Sequence, residues 1–126
     1  MSAAARLQSI APVFRVADLA RSLAFYEEQL GFDLQFEYGG FYAAVARDGC
    51  QIHLKCAPPA PRDQAAFEAA EHLDACVEVR DAAALAQQMR SRGAPLTQPL
   101  RTMPYGTEFY VRDPDGYVLG FIEPAD

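Results

Sequence analysis

Two histidines and three cysteines are the strongest candidates for reactive chemistry in this sequence, and their spacing limits what that chemistry can be. His53 lies in the run Gln51-Ile52-His53-Leu54-Lys55-Cys56, whose alternation puts Gln51, His53 and Lys55 on one face of a strand and Ile52, Leu54 and Cys56 on the other. The same reading of Asp74 to Val79 separates Asp74, Cys76 and Glu78 from Ala75, Val77 and Val79, and His72 shares the face of Asp74. Cys50, Cys56 and Cys76 are odd in number and form no C-x-x-C pair, so neither a disulfide framework nor a zinc knuckle is expected. They read as reduced thiols packed inside the fold. Cys76 and His53 on facing strands would be the nearest approach to a nucleophile with its base. The sequence holds no G-x-S-x-G elbow, P-loop or dinucleotide fingerprint, and Gly39-Gly40 reads as a hairpin turn.

Charge narrows the partners. The 126 residues carry a net charge of −6 and a single lysine, Lys55, so a phosphate-binding surface is not expected and nucleic acid is excluded as a partner. An acidic protein favours neutral or cationic ligands. No stretch reaches the roughly 18 apolar residues that a membrane span requires, so the chain is expected to be cytoplasmic.

The elements that position these residues repeat once. Ile10 to Val16 alternates around Val13, Phe14 and Val16 as a strand does, then meets Asp18, a good helix N-cap. Leu19, Leu23, Tyr26 and Leu30 then recur at helical spacing, and Gly31 stands where a left-handed C-cap belongs. Three β-like runs follow, Phe32 to Tyr38, Phe41 to Ala46 and Cys50 to Cys56, divided by Gly39-Gly40 and Arg47-Asp48-Gly49. Ala57-Pro58-Pro59-Ala60-Pro61 cannot continue a sheet, because proline has no N–H and a fixed φ. A short helix from Gln64 to Glu71 is expected next. The pattern then restarts, with a strand from Ala75 to Val79, a helix capped by Asp81 and ended by Gly93, a strand from Phe109 to Val111 and another from Tyr117 to Ile122. Val79-Arg80-Asp81 falls 63 residues after Val16-Ala17-Asp18, and Gly93 falls 62 after Gly31. This reads as a weak internal repeat of one βαβββ unit, the alternative being an unrelated mix of strands and helices of the ferredoxin-like type.

Two segments carry a family likeness: Pro12-Val13-Phe14-Arg15-Val16-Ala17-Asp18-Leu19 with Phe25-Tyr26 and Leu30-Gly31-Phe32, and Tyr105-Gly106-Thr107-Glu108-Phe109-Tyr110-Val111-Arg112-Asp113-Pro114-Asp115-Gly116-Tyr117. In order and with the repeat, they resemble the glyoxalase, bleomycin-resistance and extradiol-dioxygenase proteins of the vicinal oxygen chelate superfamily, over roughly Ser9 to Glu123. The resemblance implies an α+β fold in which two βαβββ modules form an eight-stranded, cup-shaped mixed sheet. A single domain over 1–126 is expected, with module one at 9–57, a linker at 58–71 and module two at 72–124.

Metal-dependent members of that superfamily place one ligand on each of the first, fourth, fifth and eighth strands, which correspond here to Ala11, His53, Asp74 and Gly120. Ala11 and Gly120 have no ligating side chain, and a catalytic divalent site needs about three protein ligands, so neither a metal nor any other cofactor is expected. The residue-level likeness is to bleomycin-resistance proteins, which sequester a bulky cationic drug. It implies a homodimer with a ligand groove between subunits and, from the position of Pro12, a first strand able to cross to the partner. The expected ligand-binding residues are Phe36, Tyr38, Phe41, His53, Asp74, Tyr105 and Phe109, with Tyr42 adding aromatic surface for stacking on a small aromatic, cationic compound such as an antibiotic. Glu37-Tyr38-Gly39-Gly40 retains one carboxylate where bleomycin binders carry an acidic cluster, so a smaller cationic aromatic suits the site better than bleomycin. The competing function is a divalent-metal-dependent lyase, isomerase or dioxygenase of the same superfamily.

Overall fold

A computed structural model describes residues 4–126. Its strands and helices follow the repeat. Module one contains β1 (Val13–Val16), α1 (Leu19–Glu28), β2 (Asp33–Tyr38), β3 (Tyr42–Arg47) and β4 (Cys50–Cys56). A short α2 (Gln64–Ala69) precedes module two, which contains β5 (Ala75–Glu78), α3 (Ala82–Ser91), β6 (Leu96–Met103), β7 (Gly106–Arg112) and β8 (Val118–Pro124). The eight strands divide into two four-stranded mixed sheets, ordered β1-β4-β3-β2 and β5-β8-β7-β6. The second order is the first displaced by four strands, as a duplicated unit requires. In each sheet one edge pairing is parallel, β1 with β4 and β5 with β8.

Local chemistry sets the helix limits. The Asp18 side chain accepts from the Arg21 amide at 3.1 Å and Asp81 from the Ala84 amide at 3.2 Å, each satisfying one orphan N–H of a first turn. Gly31, at φ +76°, reverses the chain after α1. The helix expected to reach Glu71 ends at Ala69, and Glu71 itself takes a left-handed φ of +60°.

Both modules turn their helix side into one core. Phe14, Val16, Tyr26, Leu30, Ile52 and Leu54 of the first half join Met89, Phe109, Val111, Leu119 and Phe121 of the second. The opposite sheet faces therefore point away from the core. Turns brace the halves reciprocally. Asp115 Oδ1 accepts from the Ala17 amide at 3.0 Å and from Arg21 Nη2 at 3.1 Å, and the Tyr26 hydroxyl donates to Asp113 Oδ2 at 2.8 Å. From the other side, Arg47 donates to the Leu30 carbonyl at 2.7 Å and to Gln88 Oε1 on α3 at 3.0 Å. The Phe14 and Tyr117 rings stack at 4.3 Å between these braces.

Candidate ligand site

On the outward face of the first sheet, β2, β3 and β4 align Phe36, Ala44 and His53 in one row. Ala44 is fully buried there because the larger side chains close over its methyl group. Phe36 meets the His53 ring edge-on at 5.7 Å, lies nearly parallel to Tyr42 at 6.3 Å, and contacts Tyr38 at 5.2 Å. Tyr42 also meets His53 edge-on at 5.6 Å. The Tyr42 hydroxyl lies 2.7 Å from His53 Nδ1, and His53 Nε2 lies 3.3 Å from Gln51 Oε1. A hydroxyl donating to Nδ1 leaves the ring proton on Nε2, facing the amide oxygen, so both nitrogens of this tautomer have partners. The face thus presents four linked rings with one polar edge, and Tyr38 remains 61% exposed.

The outward face of the second sheet is ionic. Arg101 on β6 pairs in register with Glu108 on β7. Its guanidinium reaches Glu108 Oε2 through Nε at 2.9 Å and Nη2 at 2.8 Å, and holds both Glu71 oxygens at 2.8 and 3.0 Å. The Tyr105 hydroxyl also donates to Glu108 Oε2. This bond to a carboxylate pushes the Tyr105 phenol up to about 12. Partial burial, then Glu108 and Glu78, push the Cys76 thiol up as well, which keeps it protonated and unsuited to nucleophilic attack.

The expected site residues separate into groups. Phe36, Tyr38 and His53 come together on the first sheet, whereas Phe41 stands 55% exposed at the hairpin beside Gly39. Tyr105 lies at the second sheet, half exposed. Phe109 points the other way: it is fully buried and stacks on Phe121 at 5.0 Å, so its expected place in the groove is corrected to the core. Asp74 is also corrected, because it is a brace for the linker. It accepts from both terminal nitrogens of Arg62 at 2.9 Å and from the Val118 amide at 2.8 Å, while Arg62 lies 3.5 Å above the Phe67 ring. The three cysteines, expected to be packed, are free and exposed. Cys50 and Cys56 are the end residues of β4, where the core does not reach. Nothing in the sequence marks Arg101 or Glu71 as part of a site. Only the placement of β6 beside β7 makes them visible.

The superfamily's metal arrangement does not fit these residues. Asp74 is held by Arg62, and His53 is held between Tyr42 and Gln51. A Cβ at Gly120 would come within 2.6 Å of Leu73 Cδ1, so the space of the eighth-strand ligand is filled by a leucine. Among the described residues, no three His, Cys, Asp or Glu side chains gather at ligating spacing.

Fold and site together define a duplicated βαβββ protein with one aromatic and one ionic outward sheet face. The chain belongs to the glyoxalase/bleomycin resistance protein/dioxygenase superfamily, whose family model matches residues 6–121. Among solved structures it is similar to a bleomycin-binding protein from bleomycin-producing Streptomyces verticillus, complexed with copper(II)-bleomycin. That likeness has a TM-score of 0.73 and 25% identity over 96% of this chain and 99% of the other. A glyoxalase-related enzyme from Clostridium phytofermentans superposes with a TM-score of 0.76 at 18% identity, over 98% of this chain and 100% of that one. UcmS2 gives a TM-score of 0.73 at 23% identity, over 94% and 99%. No curated protein matches the sequence at a significant level.

Proposed function

We propose that this single-domain protein sequesters a planar aromatic, cationic small molecule in the cytoplasm without metal and without turnover, in a groove completed by two copies of the chain. The observation that carries the reading is the ring cluster Phe36, Tyr38, Tyr42 and His53, held open on a sheet face rather than packed in the core. Such a face offers stacking area, and the net charge of −6 favours a cation over an anion. Bleomycin binding by a structural relative supports the same direction. The free, exposed cysteines suit a reducing compartment.

Dimerisation follows from what one chain leaves uncovered. β1 and β5 are sheet edges, and an edge invites pairing with another chain. A groove of about 400 Å³ runs between β4 and β5, with Ser9, Ile10 and Pro12 at its wall. Among the described residues, those before β1 form no helix or strand and leave Leu7 98% and Ile10 95% exposed. A second copy would cover these side chains and bring an aromatic face opposite an ionic one.

The test is thermal unfolding with metal-free bleomycin and with acridinium and phenanthridinium dyes, alongside metal analysis of the purified protein. A stabilising dye raises the midpoint by mass action. Stoichiometric zinc, nickel, manganese or iron, with no response to any of these compounds, would overturn the reading in favour of a metal-dependent enzyme.

A further inference from the structure

Glu108 is 1% exposed, and its two oxygens are treated unequally. Oε2 receives Arg101 Nε, Arg101 Nη2 and the Tyr105 hydroxyl. Oε1, equally buried, has no hydrogen-bond partner among the described residues. A carboxylate has lone pairs for about four donors, and a buried oxygen with none is a standing penalty that a bound group would relieve.

The charges are unequal too. Among the described residues, Arg101 is the one guanidinium bonded to this cluster, and it is shared between the carboxylates of Glu108 and Glu71. Glu78 stands one strand further along the same row, across Ile122. The nearby donors do not fill the gap. The Tyr110 oxygen accepts from Arg101 Nη2 at 3.5 Å, and burial, then Glu108, push its phenol up, yet its hydroxyl makes no hydrogen bond of ordinary geometry to Oε1, and the Cys76 thiol is a weak donor. The cluster therefore carries more carboxylate than guanidinium charge, and Glu108 Oε1 is left without a donor.

We propose that Glu108 is the residue that reads the ligand's positive charge, with Oε1 receiving an N–H of an amidinium or protonated amine whose aromatic body stacks on the ring face; this rests on the sequestration reading above. The groups bonded to the other oxygen of Glu108 are Tyr105, half exposed in the turn before β7, and Arg101, whose side chain is 23% exposed. A water molecule or a neutral amide would satisfy the oxygen but leave the charge uncompensated. The site should therefore separate two ligands of equal shape by charge alone.

The matched probes are 2-naphthamidine and 2-naphthamide, titrated by calorimetry against wild type, Glu108→Gln, Tyr105→Phe and Phe36→Ala. The wild type should prefer the amidine by about tenfold or more, a value typical of one charge-assisted hydrogen bond. Glu108→Gln should bring the two affinities within about twofold. Phe36→Ala should weaken both probes while leaving their ratio unchanged. Tyr105→Phe keeps the ring but removes one donor from Glu108, so it should raise the ratio, and it carries the test should Glu108→Gln fail to fold. Equal affinities in the wild type, or a preference that survives Glu108→Gln, would overturn the role of Glu108 while leaving sequestration standing. Failure of the wild type to bind either probe would overturn both.

Discussion

Replacing Asp113 with asparagine should flatten the dependence of stability on pH between about pH 4 and pH 7. Asp113 is 2% exposed, and burial raises its carboxyl from an ordinary 3.8 to about 6, against the opposing pull of the Tyr26 hydroxyl and the Asp115 and Tyr117 amides. The folded chain then holds its proton more tightly than the unfolded chain does. The resulting stabilisation is fully present below about pH 3.8 and is lost as the pH rises through about 6. From 3.8 to about 6, at about 1.4 kcal/mol per tenfold change in proton affinity, the loss comes to about 3 kcal/mol. Asparagine keeps an oxygen for the two amides and does not ionise. Urea unfolding at pH 4 and pH 7 should therefore show wild type losing about 2 kcal/mol relative to Asp113→Asn on going to the higher pH, because at pH 4 the unfolded carboxyl is already partly ionised. Other carboxyls cancel in the comparison. Glu68, drawn down to about 2 by Arg112, acts with opposite sign and is common to both proteins. Tyr26→Phe removes a donor to the carboxylate and should extend the slope to higher pH. Parallel curves for wild type and Asp113→Asn would refute the argument, showing that the three donors outweigh burial and keep Asp113 ionised throughout.

Gly106→Ala should destabilise the fold by about 3 kcal/mol, read from the urea midpoint, because Gly106 has φ +149° and a Cβ there would run into the backbone carbonyl of Glu123. Phe36→Ala and Tyr105→Ala should each weaken binding of a stabilising dye by about 1–3 kcal/mol in titration calorimetry; normal binding by both folded variants would move the groove elsewhere. Light scattering at micromolar concentration should give the mass of a dimer, and a monomer would refute the shared groove.

The repeat made much of the fold legible. Asp18 and Asp81, with Gly31 and Gly93, bound α1 and α3 through local capping chemistry that does not depend on the rest of the chain. Strand alternation correctly separated Ile52 and Leu54 from His53, and Val77 from Cys76, because each strand buries a single face. β6 was much less legible. Pro99 and two register shifts interrupt its alternation, as an edge strand permits, and Arg101 was hidden with it. Phe109 was misplaced because the adjacent Phe109-Tyr110 pair gives no period-two signal, so only the packing against Phe121 shows which ring turns inward. The partnership of Asp74 with Arg62 spans 12 residues across an irregular linker, where no periodic pattern connects them.

The reciprocal braces divide labour within the molecule. Asp113 and Asp115 bond to Tyr26, Ala17 and Arg21, and Arg47 bonds to Gln88, across the two modules, whereas Phe36, Tyr38 and His53 stand outside the hydrophobic core. Mutation can therefore exchange rings on the open face without disturbing the contacts that join the halves. A lineage built on this plan can alter the exposed ring face in single steps, each intermediate remaining folded, while the turn sequence stays under stabilising selection.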